Sequence, residues 1–171
     1  RVELFEQKAM GSLAQGDRAT ARAALRDVPA GVSQADLVAF VGNFWDLSWV
    51  LDDQQQRLLV GLPPAQFDDD RGAWGGVLAQ TYKYRGDETR SRAYADSGRI
   101  GYEAQLRDAP DDAQLHMLHG LMLALSGRKT DAIQEGERGL ALQPITEDAY
   151  SGAYNAHLLA LHRVTEQLLW E

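Results

Sequence analysis

The chain has 171 residues, a formal charge of −8 at pH 7 and no cysteine, with 44% hydrophobic and 25% charged side chains. This is globular composition, too acidic for a general nucleic-acid binder or for docking on anionic lipid. Disulfides, thiol catalysis and cysteine-ligated zinc are excluded, while cytoplasmic and periplasmic compartments both stay open.

No apolar run approaches the ~18 residues of a membrane helix. The longest candidate, 115–125, is interrupted by His116, His119 and Gly120. The sequence opens at Arg1 without a signal segment and closes on Leu168-Leu169-Trp170-Glu171, so both ends read as cuts through a longer polypeptide.

Turn-like breaks occur at Gln15-Gly16-Asp17, Leu51-Asp52-Asp53, Arg85-Gly86-Asp87 and Ser126-Gly127-Arg128. Between them apolar residues recur at helical spacing, as in Leu115, Leu118, Met122 and Leu125. A first helix pair is predicted over about 2–29, stopping at Pro29. A second spans 33–62, with Ser33 capping a helix to about Trp49. That helix carries Leu37, Phe40, Val41, Phe44, Leu47 and Leu51 on one face and Val38, Trp45 and Trp49 beside it, so it is buried on two sides or meets a partner. The Asp68-Asp69-Asp70 run opens a third pair, 69–108, with one helix to Tyr84 and a long one over about 88–107. Asp111 or Asp112 opens a fourth, 112–144, which Pro144 ends, and Glu147-Asp148 begins another over 147–171. Strand alternation is lacking. The expectation is one all-α domain of eight or nine helices over 1–171.

Catalytic signatures are missing: there is no phosphate loop, no Gly-x-Ser-x-Gly elbow and no His-Glu-x-x-His helix. Gly72-Ala73-Trp74-Gly75-Gly76 follows no predicted strand and reads as close helix packing. His116 and His119 share a helical face, and His157 and His162 lie on the last helix. With a nearby carboxylate they would suit zinc or nickel, but the same spacing arises where polar residues line a seam between helices. The expectation is no enzyme, no metal and no cofactor. Charge is unevenly placed, one basic against seven acidic side chains over 30–70 and seven basic against four acidic over 71–107. The basic stretch, with Arg85, Arg90, Arg92, Arg99 and Arg107, either meets an acidic partner or pairs within the chain.

The stretch 113–146 resembles a tetratricopeptide repeat, a helix–turn–helix unit of about 34 residues. With Ala113 as the first position, Gly120 falls eighth, Leu123 eleventh, Ala132 twentieth, Gly139 twenty-seventh and Pro144 thirty-second, the family's small, large, small, small and proline positions. His116, His119 and Gly136 depart from the pattern. Gly72, Ala79, Tyr82, Ser91 and Gly98 match similarly in the preceding unit. The whole is similar to repeat regions of bacterial multidomain signalling proteins. The resemblance implies an α-solenoid, a right-handed superhelix of stacked antiparallel helix pairs, acting as a non-catalytic scaffold that binds a protein or peptide in its concave groove.

Carried over by position, groove residues are Gln114, Met117, Leu121 and Leu125 in the clear unit and Gln80, Lys83 and Tyr84 before it. Alternatively, the chain's own next helix covers this apolar row. The runner-up function is a structural or oligomerisation segment of a larger kinase, cyclase or regulator, a homo-oligomer with Trp45 and Trp49 at a self-contact. No nucleic acid and no membrane insertion are expected.

Overall fold

A computed structural model describes residues 2–144, 146, 148 and 151–164, with side chains up to residue 160. Among the described residues there are nine α-helices and no strand, so the all-α expectation holds. Among the described residues no helix is long and apolar enough to cross a membrane. The helices fall into two compact units, Arg1–Asp69 and Asp70–Glu171.

The first unit contains α1 (Glu3–Ala14), α2 (Arg18–Arg26), α3 (Gln34–Gly42) and α4 (Asp53–Val60), with 3-10 turns at Ser48–Val50 and Pro64–Phe67. Between α1 and α2 the chain reverses at Gly16, whose φ of 76° is open to glycine at little cost. Asp17 then accepts the Thr20 N–H and starts α2. Ala9, Ala21, Leu25, Leu37, Val38, Val41, Leu47 and Leu59 are buried as its core. Gln55 is buried and joins two parts of the unit. Its side-chain oxygen accepts the Asp52 N–H while Asp52 accepts the Gln55 N–H, and its amide donates to the Leu25 carbonyl at 2.9 Å.

The helix expected from Ser33 to Trp49 is corrected here. Ser33 does cap α3, but the helix ends at Gly42. Asn43 turns its amide back onto the Ala39 carbonyl, and i→i+3 bonds from Asn43 to Phe40 and Phe44 to Val41 tighten the chain out of the α-helix. Breaking the helix lets both apolar strips reach the interior: Leu37, Val38 and Val41 from α3, then Leu47, Val50 and Leu51 from the irregular segment. An unbroken helix would have left one strip facing water.

The second unit contains α5 (Arg71–Tyr84), α6 (Glu88–Asp108), α7 (Ala113–Leu125), α8 (Lys129–Leu142) and α9 (Ser151–Val164). Asp70, Asp87 and Asp112 cap α5, α6 and α7, and Asp148 accepts the Ser151 N–H at the start of α9. Gly86 and Gly127, with φ of 74° and 87°, form the turns after α5 and α7. Asp68 and Asp69 also take positive φ, 53° and 59°, a conformation that aspartate tolerates better than most residues. The long α6 has 21 residues against 14 in α8, as its spacing predicts. Expectations beyond residue 164, and those for Glu147 and the His162 side chain, lie outside the described residues.

Helices α5 and α6 touch backbone to backbone. A Cβ on Gly75 would stand 2.5 Å from the Gly98 nitrogen, and one on Gly101 would stand 2.5 Å from the Gly72 nitrogen. The Tyr102 ring lies over Gly72, where a Cβ would be 2.7 Å from it. Gln105 donates to Asp70 at 2.8 Å, tying α6 to the start of α5. Helix α7 packs against α5, α6, α8 and α9.

Candidate functional site

Seven residues were expected to line a groove, and the structure separates them. Met117, Leu121 and Leu125 are 0%, 2% and 8% exposed, so they are core and not an open apolar surface. Met117 faces α8, where a Cβ added to Gly139 would meet its side chain at 3.1 Å. Because α7 has helices packed around it, α9 among them, an apolar side chain there gains more from its neighbours than from water. The alternative of a row covered by the chain itself describes this packing. Gln114 is exposed at the start of α7.

The other three residues sit together on α5. Gln80 is buried and donates from its amide to the Tyr84 hydroxyl at 2.7 Å, while the Tyr84 ring is 44% exposed. Lys83 is half-buried. Burial pushes its amine below the usual lysine range, with Arg92 adding to the effect and Glu88 opposing it. Beside them runs an aromatic row, with Tyr82 stacked on Tyr94 at 5.4 Å and Trp74 edge-on to Tyr94 at 5.3 Å. The Arg90 guanidinium lies over Tyr82 at 5.4 Å.

A polar cluster forms where α6, α7 and α8 meet. His116 and His119, the histidines at positions the repeat pattern usually fills with apolar residues, are buried there. Nδ1 of His116 lies 2.6 Å from Glu135 Oε2, and its Nε2 lies 2.9 Å from the Pro110 carbonyl oxygen. Nδ1 of His119 is 3.2 Å from the same Glu135 oxygen, and its Nε2 is 3.5 Å from Glu103. Those His119 approaches are ion-pair distances without hydrogen-bond geometry. Burial pushes the Glu135 carboxyl upward, but its contacts with His116 and His119 outweigh that and hold it below the usual carboxylate range. Arg99 pairs with Glu103, and Arg138 donates to the Pro110 carbonyl at 3.2 Å.

His116, His119, Glu103, Glu135 and Arg138 line a cleft of about 230 Å³ with Leu106, Arg107 and Pro110. Among the described residues no group of three or more histidines and acids is placed to hold a metal ion. Spacing marked the two histidines; it could not show Glu135, 19 residues from His116, because that pairing depends on how α8 lies on α7.

The remaining candidates are engaged locally. The Trp49 indole donates to the Asp46 carbonyl at 2.8 Å and lies under the Arg18 guanidinium; Trp45 and Trp49 are both partly exposed. His157 is exposed on α9. In the basic stretch Arg90, Arg92 and Arg99 pair with Asp87, Glu88, Asp96 and Glu103 of α6 and its cap. No protein-family model matches this chain, and no curated protein or solved structure matches it.

Proposed function

We propose that the chain is a non-catalytic helical-repeat module of the tetratricopeptide type, which binds a protein or peptide partner. The observation that carries this reading is the serial packing of the second unit. Helix α5 pairs with α6 and α7 with α8, α9 packs on both α7 and α8, and α7 also touches α5. First helices of successive pairs that meet in this way bury a shared core and leave their remaining edges for a ligand.

With Met117, Leu121 and Leu125 in the core, the edge for a partner is that of Gln80, Lys83 and Tyr84. It offers the half-exposed Tyr84 ring, the kind of group that anchors interfaces, beside the Lys83 cation, with the buried Gln80 amide holding the Tyr84 hydroxyl from behind. Peptides selected from a random display library on the 171-residue chain would test this. NMR shifts should centre on Gln80, Lys83 and Tyr84, and Lys83→Glu with Tyr84→Ala should weaken binding by about tenfold or more. Selected peptides that shift other regions, or a failure to select any, would reject this edge as the binding surface.

A further inference from the structure

Both ring nitrogens of His116 face acceptors. The Pro110 carbonyl oxygen, 2.9 Å from Nε2, can only accept, so Nε2 must carry a hydrogen. A neutral imidazole has no second N–H for Nδ1, yet Nδ1 lies 2.6 Å from Glu135 Oε2. An ionised carboxylate brings no hydrogen either. Closing both bonds therefore takes one extra proton, shared between His116 and Glu135. The ring is 3% exposed, which leaves water little access to replace a lost bond.

We propose that His116 and Glu135 form a proton-dependent clasp, closed by one shared proton, that holds α8 on α7 and on the loop at Pro110. The lowered Glu135 carboxyl is consistent with the proton residing on the ring. The Pro110 carbonyl also accepts from Arg138 of α8, so three chain segments meet at this point.

The surrounding charges come from every side of the cleft. Helix α6 contributes Glu103, the Arg99 paired with it, and Arg107; α7 contributes His119; α8 contributes Glu135 and Arg138. No ionisable group of α5 or α9 lines the cleft among the described residues. Arg107 and Arg138 oppose a further positive charge, but both are exposed and screened by water, whereas Glu135 touches the ring directly. The stabilisation needs the ring's second proton and is lost with it. It is also lost in acid, when Glu135 itself is protonated and its charge disappears.

Ring-nitrogen NMR on the 171-residue chain is the direct test. At pH 6 both His116 nitrogens should carry hydrogen in the wild type, and only Nε2 should in Glu135→Gln. Thermal melting of Glu135→Gln supplies the second arm, since the new amide donates to a neutral His116 Nδ1 and needs no extra proton. As pH falls through the carboxylate range the wild type should lose roughly 3–8 °C in Tm relative to this variant, because the lowered Glu135 carboxyl must then take up a proton. An Nδ1 without hydrogen at pH 6, or parallel melting profiles for the two proteins, would overturn the clasp. Should the variant not fold, the wild-type NMR result decides alone.

Discussion

Two helix pairs in the second unit close by opposite means. The α5–α6 pair has glycine against glycine, so its backbones touch, with the Tyr102 ring over Gly72 beside them. The α7–α8 pair also uses a small residue, Gly139, but adds two buried histidines and a half-buried glutamate. The first contact is steric and indifferent to solution conditions. The second depends on where protons sit. Neighbouring pairs with similar helix spacing can thus differ in whether their environment can reach them.

The largest effect that would separate the two is expected from Gly75→Ala. Alanine is the better helix former, but its Cβ would stand 2.6 Å from the Gly98 Cα, and backbone cannot yield as a side-chain end can. The loss should be about 3 kcal/mol by denaturant titration and the same at pH 6 and 8.5. Gly11→Ala, on an exposed face of α1 with nothing within 4 Å, is the matching control and should gain about 0.5–1 kcal/mol.

A smaller cost, about 1–2 kcal/mol, is expected for Gly139→Ala. Its Cβ would press on the flexible Met117 side chain at 3.1 Å, which can move, and on the Ala113 carbonyl at 2.8 Å, which cannot easily. Unlike Gly75→Ala, this change should also loosen the His116–Glu135 contact, followed by ring NMR, because it displaces α8. Least of all should come from Arg92→Ala. Its pairing with Glu88 is 3.9 Å long and exposed, so a thermal melt should show a change below about 0.5 kcal/mol. A larger loss would mean that α6 relies on surface charge more than its packing indicates.

Helix starts were legible because a cap is a local device. Ser33, Asp52, Asp70, Asp87 and Asp112 each accept an N–H three residues on, within reach of their own side chains. The end of α3 was not, because the apolar pattern runs straight through Gly42 and Asn43. Periodicity reports which residues want to be buried, and the residues after the break are buried as well. The same limit governs the site. His116 and His119 stood out as polar residues in an apolar row, but Glu103 and Glu135 are ordinary acids on helices rich in charge. Only the approach of α6 and α8 makes them partners. Met117, Leu121 and Leu125 had been placed by position in a repeat, and position alone does not say how many helices surround α7.

The glycine contact also bears on which hydrogens leave the protein last. Where α5 and α6 touch, the amides of Gly76 and Gly98 lie against the opposing backbone. In deuterium oxide these amides should retain their protons after those near Pro110 have exchanged. The α5–α6 pair would then be the part of the second unit still closed when the helices beside it have begun to open.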